Sequence, residues 1–291
     1  MSNPRSLLAA ASLCVVLGLT ACGVRADEGA ENPVLPSSER ARSLVLPFDD
    51  HTLSPFEIQT IDYAEDLIIR DCMEERGMDW EVLPVPEEEN TDPPHRRRYG
   101  VIEPEVAENY GYVAPIGSED DRARAEVRES RGTLPRAEYQ AAFGADGDGG
   151  CHGEARERVT DGVPDMDYNL LNSYIATGFD ASQEEPEVIG AFAEWSTCMA
   201  TRGFDYGTPL EAGDDARWAA RESEPLPEEI EVATADVACK EEASVVEIWR
   251  SAEAEAQRGL IEEHPADFAL FAQVREGLLE RARAEIEALG P

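Results

Sequence analysis

A nine-residue pattern that occurs twice, each time headed by a cysteine, constrains this chain more than any other feature. Cys72-Met73-Glu74-Glu75-Arg76-Gly77-Met78-Asp79-Trp80 and Cys198-Met199-Ala200-Thr201-Arg202-Gly203-Phe204-Asp205-Tyr206 share Cys, Met, Arg, Gly and Asp, with a bulky apolar residue after the glycine and an aromatic at the end. Each copy reads as a helix end. Ser54-Pro55-Phe56-Glu57 is a capping box with proline at the first helical position, and Ile61, Ala64, Ile68 and Cys72 follow on one face until Gly77 supplies a left-handed cap. Val188, Phe192, Trp195 and Met199 lead in the same way to Gly203. One further cysteine follows each copy. Cys151 lies in a helix expected after the glycine loop 147–150, and Cys239 lies in Ala235-Asp236-Val237-Ala238-Cys239-Lys240. Four cysteines allow three connectivities. The repeat favours Cys72 with Cys151 and Cys198 with Cys239, so that each bond pins a helix end to a second helix and contributes about 4 kcal/mol on a chain-entropy account.

Counting four cysteines presupposes that Cys14 and Cys22 belong elsewhere, and the first two dozen residues say where. Arg5 precedes an apolar run from Leu7 to Leu19, too short for a mature membrane span but suited to a signal peptide. The run ends in Leu19-Thr20-Ala21-Cys22-Gly23, the order read by the lipoprotein signal peptidase: an aliphatic residue, two small residues and the cysteine that receives diacylglycerol. The expectation is removal of residues 1–21, with Cys14 among them, and lipidation of Cys22, where two acyl chains anchor stably. An ordinary secretory cleavage leaving Cys22 as a free thiol is the alternative. Residues 22–52, with Pro33, Pro36, Pro47 and scattered Ser and charge, read as a tether between lipid and body. A first helical unit is expected over 53–165 and a second over 166–291.

The body is acidic. The chain carries 25 basic against 62 acidic residues, a net charge of −37, and loses only Arg5 with the leader. A surface of that sign repels nucleic acid and anionic headgroups, so nucleic-acid binding is excluded as a function class. At 42% hydrophobic residues the chain can still bury a core. Short helices are expected around 104–110 and 135–143, an exposed loop over 84–94, and a basic island at His95 to Arg98. From Pro227 the chain reads as helix almost to its end, with Pro265 making a kinked rod or a helical hairpin. Alternating strand patterns are absent apart from short runs such as Glu81-Val82-Leu83. The fold class is therefore mainly α: two disulfide-pinned helical units with a long C-terminal helix or hairpin.

Catalytic and ligand motifs are thin. Asp146-Gly147-Asp148-Gly149-Gly150 opens like a calcium loop, with Glu157 at the twelfth place, but Gly150 and Cys151 stand where an oxygen ligand and the turn glycine belong; a flexible link is the simpler reading. His51, His95, His152 and His264 show no two-histidine zinc spacing. His152 beside Cys151 hints at an activated thiol, but a disulfide-bonded sulfur cannot attack. No nucleophile elbow, phosphate loop or dinucleotide fingerprint occurs. Tyr99-Gly100, Tyr110-Gly111-Tyr112 and Tyr206-Gly207 either line a groove for sugar or peptide or fill core around turns. No metal or cofactor is expected.

Trp195-Ser196-Thr197-Cys198-Met199 with Arg202-Gly203-Phe204-Asp205-Tyr206 and Glu231 to Lys240, together with Arg98-Tyr99-Gly100, Tyr110-Gly111-Tyr112 and Gly149-Gly150-Cys151, resembles a group of lipoproteins from actinobacteria. The likeness covers most of the mature chain. It implies export and disulfides and brings no activity with it. The expected function is that of a non-enzymatic binding or accessory module, lipid-anchored on the outer face of the cell membrane, with an envelope protein or cell-wall material as partner. The alternative is an envelope hydrolase of polysaccharide or peptide using paired carboxylates, which requires a cleft.

Overall fold

The computed structural model describes residues 35–113, 117–145, 147, 149–220 and 224–290. The signal peptide, Cys22, and Asp146 and Asp148 of the calcium-like loop lie outside the described residues. What is described is helical, with no strand among the described residues. The expected run Glu81 to Leu83 is instead irregular, its end held where the Leu83 N–H donates to Asp66 Oδ2 at 2.7 Å.

The helices are α1 (Glu39–Arg42), α2 (Pro55–Glu75), α3 (Pro104–Tyr110), α4 (Glu119–Arg131), α5 (Arg136–Phe143), α6 (Gly150–Thr160), α7 (Tyr168–Gln183), α8 (Pro186–Thr201), α9 (Pro209–Gly213), α10 (Pro227–Glu242), α11 (Val245–Glu263) and α12 (Pro265–Leu289). α2 begins at the Ser54 cap with Pro55 in its first turn, and Glu57 closes the capping box. It ends as the repeat requires. Gly77 sits at φ 73°, and the Met78 N–H reaches back to the Met73 carbonyl at 3.0 Å. α8 ends identically, with Gly203 at φ 93° and Phe204 N–H to the Met199 carbonyl at 3.0 Å. This six-to-one bond satisfies a carbonyl that the helix leaves open and aims the following apolar residue back at the helix end. Both methionines are fully buried.

Disulfides join Cys72 to Cys151 and Cys198 to Cys239, with Cα atoms 5.7 and 5.6 Å apart. The first ties the end of α2 to the start of α6, and the second ties the end of α8 to α10. Each bond sits in its own apolar cluster. The cluster around Cys198–Cys239 takes Trp195, Met199, Val232, Val245 and Trp249. The cluster around Cys72–Cys151 takes Ile68, Met73, Ala155 and Val159, and with them Val274 and Leu278 of α12.

That last contribution corrects the division at 165/166. α12 packs chiefly on α2 and α6, and α11 on α7 and α8, so the end of the chain returns to complete the layer built by its beginning; contacts gather Pro33–Pro291 into one compact unit. The break between α11 and α12 falls at His264, with Pro265 at the start of α12. Proline at a first helical position costs no hydrogen bond, so the chain turns there cheaply and the two helices part toward different partners.

The tether also ends earlier than composition suggests. From Leu35 the chain is docked: Ala41, Leu44, Leu46 and Phe48 are buried, and a 3-10 turn, Pro47–Asp50, presents the Phe48 N–H to Gln257 Oε1 at 2.9 Å. The Phe48 ring lies 4.7 Å from that of Phe268. Prolines and serines marked this stretch as linker, but Leu44, Leu46 and Phe48 turn inward and bury, while Val45 between them faces outward.

Candidate functional site

The basic island is consumed inside the protein. His95 Nε2 meets Asp49 at 2.7 Å, Arg96 donates to Glu103 and Asp92 at 2.7 Å each, and Arg97 Nη2 donates to the Tyr112 carbonyl at 2.7 Å. Arg98 Nε donates to Glu253 Oε1 at 3.1 Å, and Glu253 also accepts from the Tyr99 hydroxyl at 2.9 Å and from Gln257 at 2.9 Å. Glu253 and Gln257 lie buried on α11, so its inward face is polar in the middle rather than a continuous apolar stripe. Burial and the neighbouring Glu253 carboxylate push the Tyr99 phenol up.

A second buried network surrounds Asp236 and Lys240 on α10, both fully enclosed. Lys240 Nζ donates to Asp236 Oδ2 at 2.8 Å and to the Val101 carbonyl at 3.0 Å. Asp236 further accepts from Trp195 Nε1 at 2.9 Å and from the Tyr112 hydroxyl at 3.2 Å. Burial pushes the Asp236 carboxyl up and the Lys240 ammonium down, and each partner's charge opposes the shift. Lys240 is the one lysine among the 25 basic residues of the chain. Gly100 explains the choice of side chain. At φ +75°, a Cβ there would come within 2.9 Å of Lys240 Nζ, so the backbone passes close to the ammonium, and a broader guanidinium would crowd it.

The two disulfides carry a matching decoration. Arg76, four residues after Cys72, pairs with Glu154, three residues after Cys151, at 2.8 Å; Arg202 pairs in the same way with Glu242 across the second bond. The other oxygen of each carboxylate rests on the outer sulfur, Glu154 Oε2 at 3.6 Å from Cys72 Sγ and Glu242 Oε2 at 3.4 Å from Cys198 Sγ. A disulfide sulfur carries no proton, so these are contacts of a negative oxygen with sulfur and not hydrogen bonds. The sequence held the signal in Cys151-His152-Gly153-Glu154 and Cys239-Lys240-Glu241-Glu242, a shared Cys-x-x-Glu that the nine-residue repeat did not include.

The aromatic-glycine segments fill core and do not line a groove. Tyr99 and Tyr110 are buried, Tyr112 points its hydroxyl at Asp236, and the Tyr206 hydroxyl donates to Asp215 at 2.8 Å, with its pKa pushed up to about 12 chiefly by burial. The four histidines stay apart: His51 Nδ1 meets the Phe268 carbonyl at 3.0 Å, His95 meets Asp49, His152 packs on Phe143 and His264 on Tyr174. No cluster of metal-binding side chains occurs among the described residues. Asp62 and Glu65 on α2 are carboxyls pushed up by burial, but Asp62 pairs with Arg128 and Glu65 feels Arg156. Two surface depressions, of about 340 Å³ at Phe56 and Pro93 and about 600 Å³ at Pro186 and Ala252, are lined by neither Asp62, Glu65 nor Asp236.

No protein family, no curated protein and no solved structure matches the chain. No helix among the described residues is long and apolar enough to cross a membrane.

Proposed function

We propose that the protein is an exported lipoprotein, held at the outer face of a bacterial membrane through Cys22, that serves as a non-enzymatic binding or accessory module of the envelope. The observation that carries this reading is the pair of disulfides at the ends of repeated helices. Such bonds form and persist in oxidising compartments, which agrees with the leader and the lipobox read from the sequence. The disposition of charge supports a binding role and a partner class. Many of the arginines are paired with carboxylates within the chain and Lys240 is buried, while acidic residues outnumber basic ones 62 to 25, so carboxylates dominate the outer surface. A surface of that kind selects cationic partners, such as a basic envelope protein or cationic groups of wall material. The hydrolase alternative draws no support from the carboxyls raised by burial, Asp62, Glu65 and Asp236, which line neither of the two surface depressions.

Crosslinking on intact cells tests the reading. The wild-type chain should partition into detergent, take up a fatty-acid probe and co-purify a basic envelope component; Cys22→Ser should lose the label and the membrane fraction. A Cys22→Ser chain that still takes up label refutes the anchor, and wild-type protein that captures nothing above a charge-matched control refutes the module.

A further inference from the structure

Each disulfide in this protein joins a fully buried cysteine to a less buried one. Cys151 and Cys239 are fully buried, whereas Cys72 is at the edge of burial and Cys198 is partly exposed. The less buried cysteine is in both cases the one in the Cys-Met-x-x-Arg-Gly repeat, and in both cases the carboxylate of a Cys-x-x-Glu on the partner helix lies against its sulfur, at 3.6 Å for Glu154 and 3.4 Å for Glu242. The side chains that hold these carboxylates, Arg76 and Arg202, are themselves exposed and take the opposite carboxylate oxygen. Two copies 126 residues apart, on different helices, thus arrive at one arrangement.

We propose that Glu154 and Glu242 are electrostatic guards of the two disulfides, and that they slow attack by external thiols. Exchange begins when a thiolate, RS⁻, attacks one sulfur in line with the S–S bond; a bond forms from R–S to that sulfur, the S–S bond breaks, and the electron pair leaves on the other sulfur. The less buried sulfurs, Cys72 and Cys198, are the ones attacked, and the thiolate expelled is Cys151 or Cys239. Two features oppose that step. The leaving anion is generated among buried apolar side chains, where burial disfavours a charge. The attacking anion must approach a sulfur that already has a carboxylate oxygen in contact with it, and like charges at this separation repel. The arginine pairs with one carboxylate oxygen and leaves the other directed at the sulfur.

This inference stands independently of the membrane anchor, and purified full-length chain with both disulfides formed suffices to test it. The probe is glutathione, an anionic thiol, beside cysteamine, whose ammonium offsets the thiolate charge; released thiols at each of the four cysteines are followed by alkylation and peptide mass spectrometry. Glu242→Gln should speed glutathione attack on Cys198 by roughly three- to tenfold, as removal of one unit charge a few ångströms from the reacting sulfur implies, and should speed cysteamine attack less. Glu154→Gln should do the same at Cys72. The companions Arg202→Gln and Arg76→Gln break the same ion pairs but leave the negative charge, so they should leave glutathione exchange unchanged or slower. If the arginine variants accelerate exchange as much as the glutamate variants do, the pairs are mechanical ties and the proposal fails. If the glutamate variants leave the rates unchanged, or raise both thiols' rates equally, it fails as well.

Discussion

Lys240 shows how one residue type can be required where another basic residue would appear equivalent. The chain uses arginine at every other basic position, and arginine would preserve the charge opposite Asp236. The ammonium is compact, fits beneath the Gly100 backbone and divides its protons between Asp236 and the Val101 carbonyl. A guanidinium needs more room and a planar partner. Lys240→Met leaves a buried carboxyl without its cation, and should destabilise the protein by about 3–5 kcal/mol in urea unfolding. Lys240→Arg should also destabilise, by about 1–3 kcal/mol through overpacking, despite retaining the charge. An arginine variant within about 0.5 kcal/mol of wild type would show that the space over Lys240 yields freely. Replacing Asp236 and Lys240 together by apolar residues should not restore full stability, since Trp195 Nε1 and the Tyr112 hydroxyl would lose their acceptor.

At the scale of elements, the returning helix α12 decides what each disulfide stabilises. It packs on α2 and α6, the pair joined by Cys72–Cys151, although it lies more than a hundred residues beyond them and directly follows α11. Replacing Cys72 and Cys151 by serine should therefore lower amide-exchange protection in α2, α6 and α12 together, while α7, α8, α10 and α11 keep theirs; the loss of loop restriction is worth about 4 kcal/mol. Loss of protection in α11 equal to that in α12 would mean that the helices unfold as a continuous rod. The helix ends were readable in advance because their causes are local: Ser54, Pro55 and Glu57 at one end of α2, and Gly77 and Gly203 at the two repeat termini. The destination of α12 was not readable, because an apolar stripe states that a helix is covered and does not state by what. The docking of Leu44, Leu46 and Phe48 was hidden by the prolines around them, and Glu253 and Gln257 by their polarity, since a buried polar residue is recognisable only through a partner distant in sequence. Of the candidate site, the cysteine pairing followed from the repeat, whereas the guarding carboxylates needed the pairing first, for only then do Arg76 and Glu154, and Arg202 and Glu242, share one surface.

For the whole molecule, the net charge of −37 sets two electrostatic effects against each other. Exposed ion pairs such as Arg40–Glu247 and Arg258–Glu255 are weakened by salt, but such pairs are worth about 0–1 kcal/mol each. Repulsion among the unpaired carboxylates acts over the whole surface and is screened by the same salt within a Debye length, about 30 Å at 0.01 M and 10 Å at 0.1 M. The repulsive sum is the larger, because acidic residues outnumber basic ones 62 to 25 and the ion pairs leave most carboxylates without a cation. The melting temperature should thus rise as potassium chloride increases from low millimolar to a few hundred millimolar. Mild acidification should act in the same direction. Asp62 and Glu65 have folded-state pKa values raised by burial, so between the ordinary carboxylate range and those raised values the folded state binds more protons than the unfolded chain. Stability is then gained as pH falls through the raised values, and reverses at lower pH where carboxyls held below the usual range by hydrogen bonds from arginine, such as Asp215 with Arg217, begin to protonate. Asp62→Asn should flatten the acid-side gain without abolishing the salt effect. Differential scanning calorimetry across salt and pH separates the two contributions. A melting temperature that falls with salt at neutral pH would show that specific ion pairs, and not the collective surface charge, dominate this protein's electrostatics.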